Sequence, residues 1–245
     1  MQLTVAAPTQ QRSSGIGVPP HHASVSSLTH RPPFSTTLCP PFPTTPRPPF
    51  PTTPHPPFPT TPHPPVTAQD QLVVLLDQNR KPIGQEPKSS VHSADTPLHL
   101  AFSLYLFDES DRLLMTRRAL TKATWPGVWT NTCCGHPMPG ELIQEAVHRR
   151  LGAELHLGVA QLRCVLPEFA YRARDASGVW ENEVCPVFIG SVVSADDLRP
   201  NTDEAVDWVW TPWAGLVDAM TAAPFAFSPW SVEQVGLMPH PAGRH

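Results

Sequence analysis

The chain has 245 residues, a net charge of −4 at pH 7 with histidine neutral, 33 prolines and five cysteines. Its acidity argues against nucleic acid as the main partner, and no apolar run approaches the roughly 20 residues that a membrane-spanning helix needs. Five cysteines without framework spacing fit free thiols in a reducing compartment, so a cytoplasmic location is expected.

Residues 1–69 contain no Asp or Glu; the first acidic residue is Asp70. Their only fixed charges are Arg12, Arg31 and Arg47, which leaves the remainder of the chain near −7. Near-copies of PPFPTTP-R/H run from Pro40 to His63, with Phe42, Phe50 and Phe58 in step. Proline removes backbone donors and pushes the preceding residue toward extended conformations. Residues 1–69 are therefore expected to be a disordered, partly polyproline II tail. An SH3- or WW-like partner could read such a repeat, but such tails are more often spacers, and a spacer role is the expectation. The Ser/Thr-rich, acid-poor N-terminus faintly resembles a transit peptide. Its prolines forbid the amphipathic helix such peptides use, so organelle targeting is the minority expectation.

Residues 70–245 are long enough for one domain with a sizeable core. Gln71–Leu76 predicts a strand followed by a turn. Leu98–Phe107 and Arg112–Thr116 flank Asp108-Glu109-Ser110-Asp111, a hairpin signal. Val128–Cys134 predicts a short strand. Glu141–Ala153 predicts a helix, because Ile143, Ala146, Val147 and Leu151 recur at three- and four-residue spacing. Leu162–Ala173 and Val179–Val193 are expected to pair across Arg174–Gly178. Val206–Thr211 predicts another strand, and helices near 212–221 and 229–237 close the chain. Strands and helices do not alternate as βαβ units. The expected fold class is α+β, with a mixed or antiparallel sheet between helices.

Two segments carry the chemistry. TNTCCGHP (130–137) holds a cysteine and a histidine two residues apart; WENEVCPVF (180–188) holds two glutamates two residues apart. Residues i and i+2 of a strand share a face. Glu181 and Glu183 can thus face one pocket, as can Cys134 and His136. A thiol, an imidazole and two carboxylates converging on one site suggest metal binding combined with acid/base chemistry.

Gly135, Glu141 and Arg149 fit the opening of the Nudix signature. Its continuation is degenerate: Arg150 and Ala153 stand where glutamates belong, and only Glu154 remains. Nudix hydrolases need several carboxylates on one helix to hold cations that activate water. The box that remains suggests one diphosphate–metal contact and no hydrolysis. Together with VHSADTPLHLAF, TRRALTKATWPGVWTNTCCGHP, ENEVCPVF and PFAFSPW, it gives a chain that resembles the type 1 isopentenyl diphosphate isomerases of the Nudix superfamily over roughly residues 71–237.

The resemblance implies a Nudix-like mixed sheet packed between helices. It implies a metal site of His92, His99, His136, Glu181 and Glu183 for one Mn²⁺, Zn²⁺ or Mg²⁺. It further implies a Mg²⁺ shared between Glu154 and the substrate diphosphate, and diphosphate contacts from Lys88, Arg118 and Lys122. The reaction implied is a reversible allylic proton shift between isopentenyl and dimethylallyl diphosphates. Cys134 would act on one face and Glu183 on the other, with Tyr171 assisting Glu183 and Trp230 facing the developing cation. Cys133 is a second thiol beside the family position, and Cys134, directly before Gly135-His136, is the one that matches. The rival reading is a Nudix-type hydrolase of another diphosphate.

Overall fold

The computed structural model describes residues 71–238; the Pro-rich tail expected over 1–69 lies outside them. In chain order the elements are β1 (Leu72–Leu76), β2 (Pro82–Pro87), α1 (Lys88–Val91), β3 (His99–Leu100), β4 (Phe102–Phe107) and β5 (Arg112–Arg118). There follow β6 (Trp129–Thr130), β7 (Cys133–Gly135), α2 (Ile143–Leu155), β8 (Val159–Leu166), β9 (Ala170–Arg174) and β10 (Trp180–Val184). β11 (Val187–Val192), β12 (Ala205–Pro212), α3 (Trp213–Ala222) and α4 (Pro229–Leu237) complete the domain.

The strands form two mixed sheets, ordered β2-β1-β3-β10-β9 and β12-β5-β4-β11-β8, with β6 on β5 and β7 on β4. The expected strand over Leu98–Phe107 is broken at Ala101: β3 belongs to the first sheet and β4 to the second. Val179–Val193 breaks at Cys185-Pro186, and Leu162–Ala173 breaks after Leu166, ahead of Pro167. A proline cannot donate to a strand ladder, so both breaks fall where the ladder must stop. The predicted pairing survives on either side of the breaks. β8 runs antiparallel to β11 and β9 antiparallel to β10, while β3/β10 and β4/β11 are parallel. Three neighbouring strands thus bend together from one sheet into the other.

β4 is buried along its whole length, and its alternation sorts the core into two layers. Phe102, Leu104 and Leu106 pack with Ala146, Val147, Leu151 and Leu155 of α2. Tyr105 and Phe107 pack with Trp213, Leu216 and Met220 of α3 and with Trp230 and Val235 of α4. The second sheet therefore lies between helices, as the sequence leads one to expect. No strand or helix is expected over 82–91, yet β2 and α1 occupy it. β2 is almost wholly exposed and is held by its backbone ladder to β1, so no hydrophobic period marks it.

β4 and β5 pair only at their hairpin end, Phe107 with Leu113, and then diverge. The gap is filled by β6 and β7, the two short strands into which Val128–Cys134 resolves. Between them the TNT side chains replace missing ladder bonds. Thr132 Oγ1 accepts from Leu106 N at 2.9 Å and donates to Leu114 O at 2.6 Å. Thr116 Oγ1 donates to Asn131 O at 3.0 Å, and Asn131 Nδ2 donates to Leu104 O at 3.1 Å. Backbone groups buried in a sheet must find such partners. Among the described residues no helix is long and apolar enough to cross a membrane.

Candidate active site

Where the strands bend from sheet to sheet, the register sets three side chains in one row. Glu183 stands opposite His99 across β3/β10 and opposite Tyr171 across β9/β10. His92 follows α1, and His136 follows β7. The rings of His92, His99 and His136 lie 5.1–5.6 Å apart between centroids. One ligand atom from each of these histidines and from Glu183 falls within 4.8 Å of all the others. Glu183 Oε1 is 3.1 Å from His136 Nε2 and 3.4 Å from His99 Nε2. Glu181 joins through His92, its Oε2 lying 2.9 Å from His92 Nε2. That contact lacks hydrogen-bond alignment, for both atoms are buried without a hydrogen-bond partner, as are His99 Nε2 and His136 Nδ1.

Buried polar atoms left unpaired are costly, and these four belong to three imidazoles and one carboxylate gathered around one point. The group fits a divalent cation. His99 Nδ1 donates to Pro97 O at 2.9 Å, which leaves Nε2 as a free lone pair; such outer bonds fix the tautomer of metal-binding histidines. Thr124 Oγ1 likewise donates to Glu181 Oε1 at 2.6 Å. Burial drives His136 down to about 3, against the pull of Glu183, and keeps it neutral. For His99, burial also pushes the value down, but hydrogen bonding and charge from Glu183 outweigh it and raise the value.

Above this cluster opens a cavity of about 190 Å³. Of the residues for which the resemblance implies a metal, substrate or catalytic role, all line it except His99, which is fully buried. One end is ionic. Lys88, Lys122 and Arg150 gather there with Glu154 and Glu204. Arg150 pairs with both carboxylates, and Glu204 also pairs with Lys122. Burial, then the charges of Arg150 and Lys122, lower Lys88 to about 8. Arg118 Nε and Nη2 donate to Thr124 O at 3.1 and 2.8 Å, and its guanidinium carbon stands 5.2 Å from the centre of the Trp230 ring.

The other end is aromatic. Trp230 packs against Tyr171 and Trp125 at ring-centroid distances of 5.6 and 5.4 Å. Cys134 lies beside it and Cys133 does not. Alternation along β7 turns Cys133 into the layer under α2 and Cys134 into the layer shared with Trp230. Asn131, fully buried, links the thiol to the indole: its Oδ1 accepts from Cys134 Sγ at 3.2 Å and from Trp230 Nε1 at 3.0 Å. Burial raises the Cys134 thiol to about 11, so it holds its proton at neutral pH. The Tyr171 phenol is raised by burial and then by Glu183 and Glu181.

Arg150, Asn131, Thr124 and Glu204 belong to this site and carried no assigned role in the sequence. Arg150 was visible only as a missing Nudix glutamate. Gly135 gives Arg150 its approach, since a Cβ there would lie 2.8 Å from Arg150 Cγ and 3.1 Å from the Phe102 ring. Asn131 is the second residue of TNTCC and lies between β6 and β7, where it reaches both Cys134 and Trp230.

Residues 97–231 match the family model for the NUDIX domain. A curated protein of Frankia alni named isopentenyl-diphosphate Delta-isomerase is 56% identical over 175 residues, 70% of this chain and 89% of its own length. A protein of the same name from Mycolicibacterium vanbaalenii is 57% identical over 170 residues, 69% of this chain and 91% of its own. Among solved structures, DR0079 from Deinococcus radiodurans is similar with a TM-score of 0.55 at 16% identity, covering 69% of this chain and all of that one; this similarity speaks to fold alone. By its NUDIX domain and by identity across most of the length of these relatives, the chain belongs to the isopentenyl-diphosphate Delta-isomerase family of the NUDIX superfamily.

Proposed function

We propose that the protein interconverts isopentenyl diphosphate and dimethylallyl diphosphate, with Cys134 and Glu183 exchanging protons with the five-carbon chain. The observation that carries this reading is a thiol and a carboxylate, Cys134 and Glu183, lining one small cavity that also holds Trp230 and Tyr171 and the cations Lys88, Lys122, Arg118 and Arg150.

The diphosphate binds at the ionic end. Arg118 and Arg150 offer forked donors and Lys88 and Lys122 offer point charges. Glu154 would hold a Mg²⁺ bound with the diphosphate, which would neutralise part of the phosphate charge. The hydrocarbon lies against Trp230 and Tyr171, with Trp125 packed behind Trp230, and these rings exclude water from a reactive cation. Cys134 gives its proton to the terminal methylene carbon. The alkene π pair forms the new C–H bond, and the S–H pair stays on sulfur. The tertiary carbon becomes cationic and is stabilised by the face of Trp230. Glu183 removes a proton from the neighbouring carbon, whose C–H pair becomes the new double bond, and Tyr171 assists this carboxylate. After product release, exchange with solvent returns a proton to sulfur and removes the one held by Glu183. His92, His99, His136, Glu181 and Glu183 would hold one divalent ion, Zn²⁺, Mn²⁺ or Mg²⁺, which would supply a fixed positive charge beside the Glu183 carboxylate.

Hydrolysis is disfavoured at the Nudix box. Arg150 and Ala153 occupy carboxylate positions, and the remaining Glu154 is engaged by Arg150. We infer a cytoplasmic enzyme, as its free Cys133, Cys134, Cys164 and Cys185 suit a reducing compartment, with residues 70–245 as the catalytic domain, residues 1–69 as a spacer and no nucleic-acid partner. Incubation with isopentenyl diphosphate and Mg²⁺, followed by separation of allylic isomer from free phosphate, tests the reading. Phosphate release without isomer would overturn it.

A further inference from the structure

Beneath Cys134 runs a second set of buried polar groups that the mechanism above leaves unused. Tyr105, Ser103 and Gln234 are all fully buried and lie between β4 and α4. Tyr105 Oη donates to Gln234 Oε1 at 2.8 Å, and Gln234 Nε2 donates to Ser103 Oγ at 3.0 Å. Ser103 thus accepts from Gln234, and its own proton turns toward sulfur. Cys134 Sγ lies 3.5 Å away and Cys185 Sγ 3.4 Å. The strand register agrees, for Ser103 is the cross-strand partner of Cys134 between β4 and β7.

The other partner of Cys134 is of opposite character. Both amide protons of Asn131 have carbonyl acceptors, Leu104 O at 3.1 Å and Cys133 O at 2.9 Å. Its Oδ1 therefore faces the thiol as an acceptor only. Among the described residues, Asn131 and Ser103 are the groups hydrogen-bonded to Cys134 Sγ, and only Ser103 has a proton to offer. Sulfur is a weak acceptor and hydroxyl rotors follow their surroundings. The Gln234 bond takes one lone pair of Ser103 and leaves its proton to face the two sulfurs, Cys134 at 3.5 Å and Cys185 at 3.4 Å.

We propose that Ser103, aligned by Gln234, is a positioning residue for the proton transfer: its hydroxyl donates to Cys134 sulfur as the S–H bond breaks. The inference rests on Cys134 being the proton donor. As the S–H proton passes to the substrate carbon, the electron pair collects on sulfur and the Ser103 O–H···S bond shortens. Nothing is transferred from Ser103 itself. An interaction that strengthens only in the transition state acts on kcat and leaves KM alone.

The test is steady-state kinetics with isopentenyl diphosphate on the full-length, metal-loaded protein. Ser103→Ala should lower kcat roughly 10- to 100-fold, as expected for a hydrogen bond to a charged group, with KM unchanged. Ser103→Thr, which keeps the hydroxyl, should recover most of the loss. The triple variant Ser103→Ala/Gln234→Leu/Tyr105→Phe removes the whole Tyr105–Gln234–Ser103 set together, leaving none of its members unpaired, and should stay as slow as Ser103→Ala. Cys185→Ala removes the competing acceptor and should leave turnover unchanged. A wild-type kcat in Ser103→Ala, a loss appearing in KM, recovery in the triple variant, or a Cys185→Ala loss matching that of Ser103→Ala would each overturn the inference. Cys134→Ala run in parallel separates the two levels. If it retains turnover, the donor assignment itself is wrong; if it is dead while Ser103→Ala is normal, only the role of Ser103 fails.

Discussion

Replacing Arg150 with methionine probes the ionic end of the cavity. The guanidinium is buried, with a side-chain exposure of 7%, and its Nη2 lies 3.1 Å from Glu204 Oε1 while also pairing with Glu154. At an effective dielectric of about 20, a pair at that separation attracts by roughly 5 kcal/mol before desolvation. Removing one partner of a buried pair leaves the other charge stranded and costs about 3–5 kcal/mol. For a domain of this size each kcal/mol moves Tm by about 2–4 °C, so Arg150→Met should melt roughly 6–20 °C lower at pH 7. Burial pushes the Glu204 carboxyl up, but Lys122 and Arg150 outweigh it and hold it at about 2. A depressed carboxyl contributes stability that is complete above its unfolded value, about 4.5, and is lost as pH falls through the folded one. The gap between wild type and variant should therefore be widest above about pH 4.5 and close toward pH 2. Calorimetry across that range measures it. A fall of under about 3 °C at pH 7, the size expected of an exposed pair, or a gap that does not depend on pH, would refute the burial argument.

The two adjacent thiols should part company: Cys133→Ala should keep near wild-type turnover, because Cys133 packs under α2, whereas Cys134→Ala should lose 10²-fold or more of kcat, as for a lost general acid. Metal affinity, measured by competitive chelation, should fall as pH drops and His99, whose value is raised, takes up a proton in competition with the ion, while His136 stays neutral to about 3 and contributes none; a slope of three protons would mean His136 titrates as well. Because Lys88 is lowered to about 8, it loses its charge above that pH, and KM for the diphosphate should climb there while kcat holds; Lys88→Met should remove the climb.

Much of this site was legible in the sequence because its chemistry is carried by short strands. The i, i+2 spacing of Glu181 and Glu183 survives in β10, and the alternation of Cys133 and Cys134 survives in β7. The helix carrying Glu154 was marked by its apolar period. What stayed hidden depends on contacts remote in sequence. The break at Ala101 exists because β3 and β4 find different sheets, and nothing within LHLAFSLYLF announces it. Arg150 looked like the loss of a Nudix glutamate; it is a buried cation balanced by Glu204, which lies 54 residues away along the chain. Asn131 and Ser103 are small polar residues within apolar or Thr-rich stretches. Their partners Trp230 and Gln234 come from the last helix, some 100 and 130 residues later. Burial fractions and amide orientations decide their roles, and no local pattern encodes either.

The central claim is that a proton moves and no phosphate bond breaks. The most direct measurement is NMR of isopentenyl diphosphate with the full-length protein and Mg²⁺ in D₂O. The account predicts conversion to dimethylallyl diphosphate, deuterium in the methyl group that receives the Cys134 proton, and intact diphosphate signals in the phosphorus spectrum. Orthophosphate appearing without the allylic isomer, or substrate that neither isomerises nor takes up deuterium, would contradict it.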